Sequence, residues 1–121
     1  MNTFLIALSS VVISVAAQFC LKAGLMQPAV KASLAQPLQW RMLVDLGGNG
    51  FILAGFGLYG VGAAIWLAVL SRWDVSKAYP MVGLGFVLAV AGGMLMGESV
   101  TAQRFGGVVL ICAGVWLVGR S

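Results

Sequence analysis

Four long apolar stretches divide the chain, and most of its polar residues lie between them. The stretches cover about residues 3–22, 50–71, 78–97 and 102–119. Each reaches the roughly 20 residues with which a helix crosses about 30 Å of hydrocarbon. Backbone amides in lipid must be hydrogen-bonded within the protein, and the stretches lack the alternating pattern of membrane β-strands. The pattern therefore predicts an all-α fold, a four-transmembrane-helix bundle in one integral membrane domain over residues 1–121.

Composition argues against a soluble domain. Hydrophobic residues make up 61% of the 121 positions and charged residues only 8%, whereas soluble domains carry about 25% charged residues. A chain of this length cannot enclose so much apolar surface in water, but a bilayer covers it. The first stretch also differs from a cleaved signal peptide, because no basic residue precedes its apolar run and the run is too long.

The long connection between the first two stretches predicts a short helix at the membrane surface. Pro37 suits a first helical position, and Gly47 suits a helix end. Apolar residues recur every four positions between them, at Leu38, Met42 and Leu46. Such spacing places them on one face, as in a helix that lies in the headgroup layer.

Basic residues are scattered near the predicted helix ends and give the chain a net charge of +4. They form no patch or stripe, so nucleic acid is not a predicted partner. The short connections make consecutive helices antiparallel. Basic residues on one side would then be Arg72, Lys77 and Arg120, and those on the other Lys22, Lys31, Arg41 and Arg104. Three basic residues on one side against four on the other do not select an orientation in the membrane. Two copies of opposite orientation could therefore coexist.

A polar stripe follows the first stretch, with Ser10, Ser14, Gln18 and Lys22 at four-residue spacing. This spacing puts them on one face of a helix. The serines are expected to bond back to their own helix. For Gln18 and Lys22 a functional role is favoured over helix packing and snorkelling, because polar residues at bilayer depth often line a substrate path. Lys22 would also place a cation where a phosphate arrives from the headgroup layer.

Small residues repeat in the last two stretches. The third carries them every four residues, at Gly85, Ala89, Gly93 and Gly97, and the fourth has Gly106, Gly107, Cys112, Ala113 and Gly114. They predict close helix packing, within the subunit or between subunits. For the aromatic residues Tyr59, Trp66 and Trp116 the sequence favours packing over a role as interface anchors or cavity walls.

Acidic residues are confined to the connections, at Asp45, Asp74 and Glu98, and the chain has no histidine. A metal site, a cofactor site and an enzymatic function are therefore not predicted. Proton-coupled export generally needs a titratable group inside the membrane, which these stretches do not offer.

Several short motifs resemble a known group of transporters. Leu110–Val115 and Ala78–Tyr79 resemble the drug/metabolite transporter superfamily in its four-helix, small-multidrug-resistance-like (EamA-like) form. Ser14–Gln18 and Ser76–Met81 are similar to the ArnE and ArnF subunits of the flippase for undecaprenyl-phosphate-linked 4-amino-4-deoxy-L-arabinose. The resemblance implies a homodimer, or a heterodimer with a homologous four-helix subunit, that moves a lipid-linked sugar phosphate among membrane lipids across the bacterial inner membrane.

The polar stripe and the missing carboxylate lead to a hypothesis about the substrate-binding residues. Multidrug exporters of this superfamily carry an essential glutamate eight residues before a lysine in the first helix, and Ser14 holds that position relative to Lys22. This departure favours the flippase branch. Lys22 and Lys77 would meet the phosphate at opposite membrane faces, while Ser14, Gln18 and Tyr79 would donate or accept hydrogen bonds.

Two other functions remain open at the level of sequence. The first is export of small cationic drugs or solutes, which the missing carboxylate argues against. The second is a non-transporting membrane partner that associates with a larger complex through its glycine-rich faces.

Overall fold

A computed structural model describes residues 2–37 and 40–121, and the regular structure in these ranges is helical. The elements are α1 (Thr3–Leu25), α2 (Pro28–Leu34), α3 (Trp40–Gly47), α4 (Gly50–Leu70), α5 (Val75–Ala78), a 3-10 turn (Tyr79–Val82), α6 (Gly83–Leu95) and α7 (Ala102–Arg120). Four segments are long and apolar enough to cross a membrane: α1, α4, the continuous stretch Val75–Leu95, and α7. The all-α four-helix prediction is confirmed, and the chain is a multi-pass membrane protein.

The third span begins earlier than predicted, at Val75 rather than at residue 78. Asp74 stands in extended backbone just before it, and the helix tightens into a 3-10 turn where Pro80 occurs. Proline has no N–H to donate to the preceding turn, so α geometry is interrupted there. With the predicted start at residue 78, Pro80 would stand in the first turn, whereas it lies inside the span.

The third span also ends earlier, and this corrects the interpretation of Gly97. Its φ of 89° lies in the left-handed region that favours glycine. The backbone N–H of Glu98 donates to the carbonyl oxygen of Gly93 at 2.9 Å, which closes the last turn of α6. Gly97 was predicted to belong to a packing face, but it terminates the helix.

Helix α1 lies at the centre of the bundle. It packs along α4 on one side and along α6 on the other, and α7 packs against α6. Glycines bring α1 and α4 together: a Cβ built at Gly55 would lie 2.7 Å from the Leu21 side chain and 3.1 Å from the Ala17 carbonyl oxygen. Near the end of α1, a Cβ at Gly24 would lie 2.6 Å from the Ile52 side chain. The two helices are therefore antiparallel, in close backbone approach.

Helix α6 approaches α1 at two glycines. A Cβ at Gly92 would lie 2.7 Å from the ring of Phe19, and one at Gly85 would lie 3.4 Å from Val11. The predicted packing role of Gly85 is thus observed. At Gly93 the neighbour is the side chain of Glu98 rather than another helix, because Gly93 lies within the closing turn of α6.

Helix α7 is mostly exposed along its length. In the part of the chain that the structure describes, built Cβ atoms at Gly106, Gly107 and Gly114 meet nothing within 4 Å. The prediction that this face associates with another subunit stays a prediction.

The described part of the connection between α1 and α4 contains two short helices, whereas one was predicted. Helix α3 spans Trp40–Gly47 and ends at Gly47 as expected, and the predicted position Leu38 lies outside the described residues. The additional helix, α2, has a proline at its start. Ser33 of α2 donates a hydrogen bond to Asp45 of α3, and Asn49 Nδ2 donates to Gln27 Oε1 at 3.0 Å. The first bond joins α2 to α3, and the second joins the start of α2 to the start of α4.

Candidate functional site

A groove with a volume of about 630 Å³ opens between α4 and α6, with α1 as its floor. Its lining consists of Ser10, Val11, Ser14, Val15, Gln18, Tyr59, Gly62, Ala63, Trp66, Val82, Gly85, Phe86 and Ala89. These side chains are uncharged at neutral pH. The groove is only partly enclosed, so a ligand within it would stay in contact with the surroundings of the bundle.

Three residues of the polar stripe, Ser10, Ser14 and Gln18, lie on the floor of the groove together with Val11 and Val15. Ser10 is only 3% exposed, and its Oγ donates to the carbonyl oxygen of Gly62 at 2.7 Å. This corrects the expectation that Ser10 bonds back to its own helix. Gly62 has no side chain, and this lets the α1 hydroxyl reach the α4 backbone.

Ser14 and Gln18 continue the floor toward the C-terminal end of α1. Ser14 is half-buried, with its Oγ 3.0 Å from the place where a Cβ of Gly62 would stand, and Gln18 is exposed. Within residues 2–37 and 40–121 neither side chain makes a hydrogen bond to protein. Both polar groups are therefore available to a ligand in the groove.

Aromatic side chains line both walls of the groove. Tyr59 and Trp66 come from α4, and Phe86 comes from α6. For Tyr59 and Trp66 the sequence favoured packing, whereas the structure makes them walls of the groove, although Trp66 also packs against the core at Val69. Phe86 also lines the groove but was not predicted as a functional residue. Positions 82, 85, 86 and 89 lie on one face of a helix, and this spacing could have indicated Phe86 as a lining residue.

The residues predicted to bind substrate lie in different places. Ser14 and Gln18 line the groove, and Lys22 is exposed one turn beyond Gln18, at the end of the same helix. Lys77 and Tyr79 do not join them. The Lys77 ammonium lies 4.6 Å from the centroid of the Trp73 ring, and Tyr79 is 68% exposed.

The two ends of the bundle carry cations. At the Lys22 end, defined by the C-terminus of α1, the lysine also lies near the negative end of the α1 dipole. At the Lys77 end, defined by the C-termini of α4 and α7, Lys77 lies in the last turn of α5. A negatively charged group that passes along the groove toward the Lys22 end would meet neutral hydrogen-bonding groups first and a cation last.

Comparison with known proteins identifies relatives that share one name, probable 4-amino-4-deoxy-L-arabinose-phosphoundecaprenol flippase subunit ArnE. The Erwinia tasmaniensis relative is 35% identical over 120 residues, which is 98% of this chain and 97% of the relative. The Pseudomonas aeruginosa relative is 37% identical over 91 residues, 74% of this chain and 68% of the relative.

Shorter alignments reach higher identity. The relative from Pseudomonas savastanoi pv. phaseolicola is 46% identical over 63 residues, 51% of this chain. That alignment spans only 55% of the relative's length. The alignment with a relative from Pseudomonas syringae pv. syringae spans 58% of that relative's length. No protein-family model matches the chain. No solved structure matches it either.

Proposed function

We propose that this chain, which belongs to the ArnE family of flippase subunits, translocates a polyprenyl-phosphate-linked sugar across the bacterial inner membrane. The relatives are named for 4-amino-4-deoxy-L-arabinose on undecaprenyl phosphate, and we take this chemical class as the substrate. The observation that carries the proposal is the partly open groove whose floor has uncommitted polar groups at Ser14 and Gln18.

The proposed mechanism separates the two parts of the substrate. The prenyl tail stays in the hydrocarbon, because the groove is only partly enclosed. The polar head passes along α1, where Ser14 and Gln18 replace part of its lost hydration with hydrogen bonds. A bare charge is costly at the bilayer centre, so such compensation lowers the barrier to crossing.

The aromatic walls support an aminosugar as the head group. A protonated amine gains cation–π attraction from the faces of Tyr59 and Trp66 without a carboxylate in the groove. The same walls would offer little to a bare phosphate. We therefore assign the phosphate to hydrogen bonds from the α1 side and to Lys22 at the end of the stripe. Lys77 and Tyr79 lie off this path.

The partner in the proposal is a homologous four-helix subunit, either a second copy or an ArnF-type chain. The relatives are named as subunits. The glycine face of α7, at Gly106, Gly107 and Gly114, is suited to close helix association. A partner there would leave the groove between α4 and α6 open, because α7 does not line it.

Transport of the lipid-linked aminosugar by the reconstituted protein tests the proposal. Gln18→Ala and Lys22→Ala are expected to slow translocation, with expression and assembly held constant. Lys31→Ala serves as the matched control for Lys22→Ala, because Lys31 is also exposed at this end but lies on α2, away from the groove. Unchanged transport in both test variants would remove the proposed path.

A further inference from the structure

A second groove, of about 430 Å³, lies at the Lys77 end of the bundle. We call it the tryptophan groove. Its lining includes Trp73, Lys77, Met81, Leu84, Trp116 and Arg120. The start of α1, the 3-10 turn, α6 and α7 thus meet around one depression with mostly apolar walls.

Two cations line the tryptophan groove, and each lies beside a tryptophan. The Lys77 ammonium is 4.6 Å from the centroid of the Trp73 ring, and the Arg120 guanidinium carbon is 4.6 Å from that of Trp116. Cation–π contacts of this kind favour one placement of a long side chain. The two positive charges are therefore held in the groove before any ligand arrives.

The tryptophan groove lies on a different face of the third span from the first groove. Met81 and Leu84 line the tryptophan groove, whereas Val82, Gly85 and Phe86 line the first. An occupant of the tryptophan groove is therefore separated from the polar stripe of α1 by the third span itself. This position suits a ligand that stays bound better than one that passes along α1.

We propose that the tryptophan groove binds a resident anionic phospholipid of the phosphatidylglycerol class. The phosphate lies between Lys77 and Arg120, and one acyl chain lies along Met81, Leu84 and Val115. The single negative charge of the phosphodiester is opposite in sign to the two cations of the groove, so the groove attracts an anionic headgroup. Tryptophan is the residue typical of the headgroup boundary, where such a phosphate is found. The inference goes beyond the transport proposal, because this lipid is not the substrate.

Native mass spectrometry of the full chain from nanodiscs tests the assignment. The nanodiscs contain phosphatidylethanolamine with a minor fraction of phosphatidylglycerol, and the probe is the retained phosphatidylglycerol. The wild type is expected to retain this lipid preferentially. The double variant Lys77→Gln/Arg120→Gln is expected to retain about tenfold less.

Two further variants separate a binding site from a structural effect. Lys31→Gln/Arg104→Gln removes the same two residue types at the opposite end of the bundle, and it should retain as much phosphatidylglycerol as the wild type. Lys77→Arg/Arg120→Lys keeps both positive charges, and it should retain the lipid as well.

In a Cys20→Ser background, phosphatidylglycerol should protect Cys112 from a lipid-soluble maleimide, because Cys112 lines the groove.

Three results would overturn the inference. The first is equal phosphatidylglycerol retention by the wild type and by Lys77→Gln/Arg120→Gln. The second is loss of retention in the control pair at the opposite end. The third is displacement of phosphatidylglycerol from the groove by a polyprenyl phosphate added in equal amount, which would make this groove a substrate site instead.

Discussion

Ser10 donates its hydroxyl hydrogen to the carbonyl oxygen of Gly62 at 2.7 Å, and this bond joins the centre of α1 to the centre of α4. The bond is buried, and it lies at one edge of the groove that carries the proposed function. It fixes the rotation of α1 against α4 and so directs Ser14 and Gln18 into the groove.

Replacing Ser10 with alanine should destabilise the bundle, because one interhelical hydrogen bond is lost. Such bonds contribute about 1 kcal/mol in membrane proteins. Thermal unfolding in detergent micelles measures the change. Ser9→Ala is the matched control, since the Ser9 hydroxyl bonds to Leu5 of its own helix and is exposed. Equal melting temperatures for Ser10→Ala and the wild type would contradict the interhelical role.

The closest approach of α1 and α4 should depend on Gly55. Alanine there would place a methyl group 3.1 Å from the backbone oxygen of Ala17, which cannot rotate away. The overpacking should cost about 1–3 kcal/mol of unfolding free energy. Gly57→Ala is the control, because a Cβ at that position meets nothing within 4 Å. The order of stability expected in a denaturant titration is Gly57→Ala above Gly55→Ala, and the reverse order would refute this packing.

The aromatic wall should recognise the positive charge of the substrate. Tyr59→Leu keeps an apolar side chain but removes the aromatic face, so binding of a prenyl-phosphate aminosugar should weaken about two- to fivefold. Binding of a neutral sugar on the same carrier should change less. Tyr79→Leu is the control outside the groove. An equal effect of Tyr59→Leu on both lipids, measured by quenching of tryptophan fluorescence, would argue against cation–π recognition.

The spans were predictable because hydrophobic length is a local property of the sequence. Residues 50–71 were predicted for the second span, and the helix occupies Gly50–Leu70. The stripe from Ser14 to Gln18 was likewise predictable from spacing, since helical periodicity alone puts both residues on one face. The four-residue spacing of small residues wrongly assigned Gly97 to a packing face, because such a repeat does not reveal where a helix ends.

Features that depend on contacts between distant segments were not predictable. Asn49 is buried and accepts hydrogen bonds from the backbone N–H groups of Phe51 and Ile52, while its amide reaches Gln27. Nothing in the order of residues pairs Gln27 with Asn49. The tryptophan groove needs the end of α7 to lie beside α5, and this placement follows from packing rather than from any motif.

The measurement that tests the account most directly is the translocation rate of a prenyl-phosphate aminosugar by Gln18→Ala, reconstituted with the partner subunit in vesicles. Loss of one hydrogen bond to the passing head group should slow transport about five- to tenfold. Gln103→Ala, an exposed glutamine at the start of α7, should transport at the wild-type rate. A Gln18→Ala protein that assembles normally and transports as fast as Gln103→Ala would contradict the claim that the head group passes along α1.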